Sequence, residues 1–226
     1  MITLNRFDTK DALLEAALQL ALPVMKDGED TPVALIVPGG RTPKPLFDAL
    51  AAQGIQAGPR AFLGYTDERH VPETDPQSNY ALTVAMIRSL QLPPSRVLRV
   101  QTELSLDEAA VRYHEAWRDF FDGGGEIPLA LLGLGDDGHT CSLFTAEQVR
   151  AYAPGVYAAP LRRESGPHRV TVTPALLERV QHVVFLVTGS DKAAVVDGML
   201  RDPSSVTAAL AVEHAPRVSL WYAPRG

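Results

Sequence analysis

The stretch VALIVPGG, residues 33–40, decides the fold class of this sequence. Its first five residues are all apolar, which is typical of a strand that is buried on both faces. Pro38 and the two glycines end that strand, and residues 43–52 resume with helix-compatible side chains. The order of strand, loop and helix predicts one unit of a parallel α/β sheet.

The same order recurs along the chain. Further apolar, strand-sized runs stand at residues 61–65, 129–132 and 183–187. Polar or glycine-rich loops follow them at residues 66–79, 133–140 and 188–190. Helices are predicted over residues 11–25, with Asp8 or Thr9 as the cap, and near residues 80–90, 106–121 and 191–200. Residues 217–222 predict a short final strand.

These patterns predict a single α/β domain over residues 1–226. We expect a largely parallel open sheet with helices on both faces, as in Rossmann-like folds. Ligands of such sheets bind at the carboxyl ends of the strands, which is where all four loops fall.

Composition and charge narrow the functional class. The chain is 46% apolar and 21% charged, as in ordinary globular proteins, and its formal charge of −6 argues against non-specific nucleic-acid binding. The lone Cys141 excludes an intrachain disulfide and suits a reducing cytoplasm. Residues 1–11 lack the apolar core of a signal peptide, and no apolar run approaches the roughly 20 residues of a membrane span. We therefore expect a cytoplasmic protein with no membrane segment.

The loop at residues 38–43 has the composition of an anion site. Gly39 and Gly40 allow a ligand to approach the backbone, Arg41 and Thr42 add donors, and the start of the next helix attracts negative charge. A phosphate fits this description. A strand-to-helix turn that binds nothing explains the loop about equally well when it is taken alone.

The loop GLGDDGH, residues 133–139, carries the candidate catalytic pair. Its three glycines formally match a dinucleotide pattern, but two aspartates would face the pyrophosphate and the expected ribose-binding acid is missing, so we reject that interpretation. Asp137 instead stands two residues before His139, and an imidazole oriented by a carboxylate is suited to taking a proton from water. The alternatives are a surface histidine, or a metal site of Asp136, Asp137 and His139, although no second histidine stands at ligand spacing.

Charged residues in the remaining loops add candidate ligands. Residues 66–70, TDERH, bring Asp67 and Arg69 to the end of a strand. Arg169 begins an alternating stretch, and Lys192 is predicted in the first turn of a helix, where a cation is unfavourable unless an anion lies beside it. An ordinary surface charge run and a solvated lysine are the alternatives.

Together these motifs resemble the 6-phosphogluconolactonase family, in the superfamily that also contains glucosamine-6-phosphate deaminases. The resemblance covers nearly the whole chain, in order. It is carried by residues 39–43, 66–69, 78–80, 133–140, 142–144, 169–171 and 188–189, and by Lys192.

The resemblance implies hydrolysis of 6-phospho-D-glucono-1,5-lactone to 6-phospho-D-gluconate in the oxidative pentose phosphate pathway. His139 would activate water and Asp137 would orient His139. The residues implied to hold the 6-phosphate are Gly39, Gly40, Thr42, Arg169 and Lys192, and those implied to line the sugar site are Asp67 and Arg69. The scheme requires no cofactor and no metal, the partner is the small sugar-phosphate lactone, and we expect a monomer or a small homo-oligomer.

Three positions depart from the pattern of the family. Arg41 stands where members commonly carry Ser or Thr, so it keeps a place in the phosphate loop without supplying a hydroxyl. Cys141 and Thr145 stand where Ala and Pro are common, and Cys141 is a small replacement for Ala.

Two other functions fit the same motifs less well. Deaminases of the superfamily place an Asn-Glu-Pro stretch where this chain has residues 143–145, and Glu147 lies beyond the matching position, so deamination is disfavoured. A non-catalytic sugar-phosphate sensor ranks third, because the sequence shows no DNA-binding segment and retains both His139 and Asp137.

Overall fold

The computed structural model describes residues 1–26, 30–40 and 42–225. The strands within these ranges are β1 (Ile2–Arg6), β2 (Val33–Val37), β3 (Ala61–Tyr65), β4 (Asp67–Arg69), β5 (Val97–Leu98), β6 (Glu126–Leu132), β7 (Ala158–Leu161), β8 (Arg169–Val172), β9 (Val183–Thr188) and β10 (Val218–Ala223). The helices are α1 (Lys10–Lys26), α2 (Lys44–Ala52), α3 (Asn79–Ser89), α4 (Leu106–Asp122), α5 (Ala146–Arg150), α6 (Pro174–Leu177), α7 (Ala193–Arg201) and α8 (Thr207–Ala211).

The main sheet has seven strands in the order β1-β10-β9-β6-β2-β3-β5. Every neighbouring pair in it is parallel, and β2 lies inside the sheet between β6 and β3. All five residues of β2 are buried, as the uninterrupted apolar run predicts. The largely parallel open sheet is therefore confirmed.

Helices cover both faces of this sheet, and the side chains of β2 alternate between two cores. Ala34 and Ile36 belong to a core that includes α4, α6, α7 and α8. Val33, Leu35 and Val37 belong to the opposite core, with α1, α2 and α3. Because both faces are covered by helices, polar residues are excluded from the strand on either side.

Local signals explain where the longer helices begin. Thr9, rather than Asp8, caps α1, since its hydroxyl accepts from the backbone N–H of Ala12 at 3.2 Å. Ser105 and Glu108 form a reciprocal capping box at the start of α4. None of the helices in the described ranges is long and apolar enough to cross a membrane.

A second, three-stranded sheet was not expected from the sequence. Strands β4, β8 and β7 pair antiparallel in that order, with Asp67 opposite Thr171 and Arg69 opposite Arg169. Residues 67–69, expected to lie in a loop, therefore form a strand. The three charged residues of β4 show no apolar alternation. Asp67 and Glu68 are nevertheless buried, because neighbouring elements donate hydrogen bonds to their carboxylates.

Candidate active site

A cavity of about 230 Å³ opens where the carboxyl ends of β2, β6 and β9 meet. Seven of the residues singled out from the sequence line it, namely Gly39, Gly40, Thr42, Asp67, Arg69, His139 and Lys192. Asp137 and Arg169 are described but stand outside this lining, and Arg41 lies outside the described residues. The structure thus gathers four separate loops around one space.

His139 and Asp137 form a close pair. Nδ1 of His139 lies 2.5 Å from Oδ1 of Asp137, which also accepts from the backbone N–H of His139 at 3.2 Å. Since a carboxylate only accepts, Nδ1 carries the proton and the lone pair lies on Nε2. Partial burial raises the pKa of Asp137, but the hydrogen bonds and charge of His139 outweigh it and hold that pKa below its usual range.

The backbone of the 133–140 loop fixes this pair. The N–H of Gly135 donates to the carbonyl of His139 at 2.8 Å, and the N–H of Gly138 donates to the carbonyl of Gly135 at 3.1 Å. Gly138 has φ of +83°, a conformation that side chains disfavour. A Cβ on Gly135 would overlap Nδ1 of His139. Glycine at position 135 is therefore a requirement of the pair itself.

An aromatic ring supports the imidazole. The centroid of the Phe144 ring lies 4.6 Å from the centroid of the His139 ring. The guanidinium of Arg163 lies over the Phe144 ring, 4.7 Å from its centroid. The side chain of His139 is 28% exposed, so water can reach the ring. Within the described residues, no group hydrogen-bonds to Nε2, which leaves that atom open to a water molecule or a substrate.

The glycine turn after β2 presents backbone to the cavity. Gly40 has φ of +99°, so the chain turns there in a conformation suited to glycine, and α2 starts at Lys44 directly afterwards. Thr42 lines the cavity between these two points. Amides at such a helix start favour an anion, as the sequence pattern predicts.

Lys192 lines the cavity from the opposite side. It precedes α7, its side chain is only 17% exposed, and its Nζ donates to the carbonyl of Leu134 at 2.8 Å. It also forms an ion pair with the exposed carboxylate of Asp136. The ammonium group is thus held at the rim by two residues of the 133–140 loop.

Asp67, the first residue of β4, is buried, and both oxygens of its carboxylate accept hydrogen bonds. The hydroxyl of Thr66 donates to Oδ1 at 2.9 Å, and the hydroxyl of Ser142 donates to Oδ2 at 2.6 Å. Ser142 is itself buried. Asp67 therefore ties β4 to the segment that follows His139.

Arg69 and Arg169 face one another across the β4–β8 ladder but point to different partners. Nη1 of Arg69 donates to the carbonyl of Gln77 at 2.8 Å, while the guanidinium of Arg169 donates to the carbonyls of Pro167 and His168. Burial lowers the pKa of Arg169, and the charge of Arg69 adds to this effect. Arg169 does not belong to the cavity lining.

Cys141 also lines the cavity, but its thiol is not activated as a nucleophile. Burial raises the pKa of its thiol, and the carboxylate of Asp67 raises it further. Its φ of +54° is unusual for a residue other than glycine. Within the described part of the chain, no group of three or more His, Cys, Asp or Glu residues could hold a metal ion.

Three residues that contact the cavity-lining side chains were not predicted from the sequence to belong to the site. They are Asn79, whose side chain contacts Arg69, Ser142, which binds Asp67, and Phe144, which packs on His139. All three stand inside motifs that carried the family resemblance. The signal was present, but the contacts join positions that are distant in the sequence.

The fold and the cavity define an open-sheet α/β enzyme whose site combines a glycine turn, a lysine and a carboxylate-bound histidine. A family model described as glucosamine-6-phosphate isomerases/6-phosphogluconolactonase matches residues 8–221. The chain therefore belongs to that family.

Relatives agree with this membership. The chain is 35% identical to the 6-phosphogluconolactonase of Rattus norvegicus over 202 residues, which cover 84% of this chain and 77% of that protein. It is 35% identical to the 6-phosphogluconolactonase of Homo sapiens over 204 residues, with the same coverage of 84% and 77%. The crystal structure of a 6-phosphogluconolactonase from Thermotoga maritima has the same fold, with a TM-score of 0.81, 24% identity and 100% of both chains covered.

Proposed function

We propose that this chain hydrolyses 6-phospho-D-glucono-1,5-lactone to 6-phospho-D-gluconate, with His139 as the base that activates water. The lactone hydrolase class follows from the relatives, which are 6-phosphogluconolactonases. The observation that carries the catalytic assignment is the 2.5 Å contact between Nδ1 of His139 and Asp137, which leaves Nε2 as the basic atom beside the cavity.

In the first step, the oxygen of a water molecule bonds to the lactone carbonyl carbon while its proton passes to Nε2 of His139. The carbonyl π electrons move to oxygen and give a tetrahedral oxyanion. Asp137 stabilises the imidazolium that forms, because its carboxylate already binds the Nδ1 proton. The pair needs no rearrangement during the step.

In the second step, the oxyanion re-forms the carbonyl and the bond to the ring oxygen breaks. The imidazolium returns its proton to that oxygen, which becomes a hydroxyl group. The carboxylic acid product then ionises, so one proton enters solution for each lactone opened. Acid release therefore measures the reaction directly.

The substrate phosphate would bind between the glycine turn and Lys192. Gly39, Gly40 and Thr42 line one side of the cavity and Lys192 the other, which provides backbone amides, a hydroxyl and a positive charge. Arg41 and Arg169 stay predictions as phosphate ligands. Arg169 lies outside the cavity lining, and its guanidinium donates to main-chain carbonyls.

The environment of His139 favours hydrolysis over deamination. Phe144 occupies the position beside the imidazole, and it offers no acid for the amino-sugar reaction. Glu147 is exposed in the first turn of α5 and does not belong to the cavity lining. Asp67 and Arg69 remain available to line the sugar site, as the family resemblance implies.

A side-by-side assay tests this function. Wild-type protein should accelerate acid release from the phosphorylated lactone above the uncatalysed rate and should release no ammonia from glucosamine 6-phosphate. His139→Ala should lose about 10²- to 10⁴-fold in kcat, the usual contribution of a general base. His214→Ala is the matched control, because His214 is an exposed histidine on the turn after α8.

The opposite results would overturn the proposal. Ammonia release without lactone hydrolysis would assign the chain to the amino-sugar branch of its family. An unchanged kcat in folded His139→Ala would refute the assignment of His139 as the base, but it would not affect the substrate assignment. The cytoplasmic location and the monomeric or small oligomeric state stay predictions. Light scattering on a sizing column measures the oligomeric state.

A further inference from the structure

Asn79, the first residue of α3, has a buried side chain that contacts three separate parts of the cavity wall. Its Oδ1 accepts from Nη1 of Arg69 at 2.9 Å, and its Nδ2 donates to the carbonyl of Asp67 at 2.8 Å. A Cβ on Gly39 would overlap the same side-chain amide. One side chain therefore joins the glycine turn to Asp67 and Arg69 of β4.

We propose that Asn79, held in place by Glu68, is a positioning residue that sets Arg69 and Asp67 against the glycine turn at Gly39. Asn79 is not placed against substrate, so it acts through those neighbours. The proposal rests on the proposed function, because Arg69 and Asp67 are the side chains expected to line the sugar site.

The chemistry of the side-chain amide suits this task. The oxygen faces a guanidinium, which only donates, and the nitrogen faces a carbonyl and the Oδ1 of Asp67, which accept. If the amide were turned over, its NH₂ group would face the guanidinium of Arg69, which also donates. Its oxygen would face the carbonyl of Asp67, which also accepts. Aspartate at position 79 would keep the first contact and place a negative charge beside Asp67. Only an amide of this length satisfies both neighbours.

Glu68 fixes the backbone from which Asn79 projects. Its carboxylate is 2% exposed and accepts four hydrogen bonds, two on each oxygen. Oε1 accepts from the N–H groups of Arg69 and Asn79, both at 2.7 Å. Oε2 accepts from the N–H of Tyr80 at 2.8 Å and the hydroxyl of Ser78 at 3.1 Å. The start of α3 is thereby tied to β4.

Burial raises the pKa of Glu68, while the backbone N–H donors oppose that rise. Each carboxylate oxygen accepts at least one backbone N–H, which joins β4 to the first turn of α3. Glu68 therefore anchors the start of this helix through its hydrogen bonds.

The contacts of Arg69 show what would be lost without Asn79. Its Nη1 is shared between the carbonyl of Gln77 and Oδ1 of Asn79. Removing the second acceptor leaves the guanidinium held from one side, so it can turn away from the cavity. The pair of His139 and Asp137 makes no hydrogen bond to Asn79 within the described residues, so the proton-transfer step should be preserved.

The test compares Asn79→Ala with the wild type on the phosphorylated lactone. We expect KM to rise about tenfold or more, because a hydrogen bond to a charged group is lost, while kcat and its pH profile change little. In an Arg69→Met background the same substitution should raise KM by a smaller factor than in the wild type, since one of the two residues through which it acts is gone.

Ser78→Ala is the matched control. It removes the cap of α3, where the hydroxyl accepts from the N–H of Ala81, and one bond to Glu68, yet it touches neither Arg69 nor Asp67. It should lower the melting temperature and leave KM unchanged. A comparable rise of KM in Ser78→Ala would mean that loosening the start of α3, rather than losing the contacts of the Asn79 amide, produces the effect.

Two results would overturn the inference: an unchanged KM in folded Asn79→Ala, or effects of Asn79→Ala and Arg69→Met that simply add. If Asn79→Ala does not fold, Asn79→Asp decides by the same comparison, with a raised KM expected and a wild-type KM contradicting the proposal. A wild-type protein that does not hydrolyse the lactone refutes the proposed function instead, so the two failures are distinguishable.

Discussion

Tyr113 and the backbone of Tyr65 hold each other through two hydrogen bonds. The hydroxyl of Tyr113 donates to the carbonyl of Tyr65 at 2.6 Å and accepts from the N–H of the same residue at 2.9 Å. Tyr113 lies on α4 and Tyr65 ends β3, one residue before Thr66 and Asp67. This contact satisfies a buried strand end where the chain passes from β3 of the main sheet to β4.

Removing that hydroxyl should destabilise the protein. Tyr113→Phe leaves the buried N–H and C=O of Tyr65 without this partner, which costs about 1–3 kcal/mol of unfolding free energy. Urea denaturation measures the loss. Tyr157→Phe is the control, because within the described residues its hydroxyl makes no hydrogen bond, and an equal loss in both variants would contradict the assigned role.

Gly135→Ala should damage catalysis more than stability. The new Cβ would overlap Nδ1 of His139 and approach Oδ1 of Asp137 at 2.5 Å, so the imidazole must leave its place. We expect kcat to fall about 100-fold, the lower end of what a general base contributes. Gly133→Ala, in the same loop, places a Cβ with nothing within 4 Å and should keep its kcat. A wild-type kcat in Gly135→Ala would show that the pair tolerates displacement.

The contribution of Asp137 to stability should depend on pH. Its pKa is lowered in the folded protein, so the stabilisation is complete above the usual carboxyl pKa and is lost as the pH falls through the lowered value. Asp137→Asn should therefore be less stable than the wild type at about pH 7 and equal to it in strong acid. Because the carboxylate is 61% exposed, the difference is less than about 1 kcal/mol. Melting temperatures across this range that stay a constant distance apart would refute the prediction.

Lys192 and Asp136 should affect the phosphorylated substrate in opposite directions. Lys192→Met should raise KM for 6-phosphogluconolactone about tenfold or more and leave KM for the unphosphorylated lactone unchanged. Asp136→Asn should lower KM for the phosphorylated lactone, because its carboxylate pairs with the same ammonium and competes with phosphate. Added salt should shrink the effect of Asp136→Asn, since that carboxylate is exposed. Equal changes of KM on both lactones would argue against a phosphate role for Lys192.

The main sheet could be predicted from sequence because its inner strands are uniformly apolar. Residues 33–37 and 183–187 are recognisable as strands because they are continuous apolar runs. Asp67–Arg69 carries three charges and shows neither alternation nor an apolar run. Strand β1 was missed for a related reason, since it lies at the edge of the sheet and mixes apolar with polar side chains. Strands stabilised by contacts with other elements leave little trace in their own composition.

The cavity was predictable to the extent that its residues sit in loops at strand ends. His139 and Asp137 are two positions apart, so their pairing can be proposed from local sequence alone. The contacts of Asn79 with residues of β4 and the glycine turn depend on how α3 docks, which no local pattern encodes. The direction of the Arg169 side chain depends likewise on the turn at Pro167 and His168.

The close fit between Gly39 and the amide of Asn79 also limits how the sequence can change over time. A larger residue at position 39 requires a shorter one at position 79. The shorter residue cannot make the hydrogen bond to Arg69. A substitution at either position alone is therefore expected to weaken the enzyme. A redesign of this part of the cavity wall must therefore exchange both residues together and supply a new partner for Arg69.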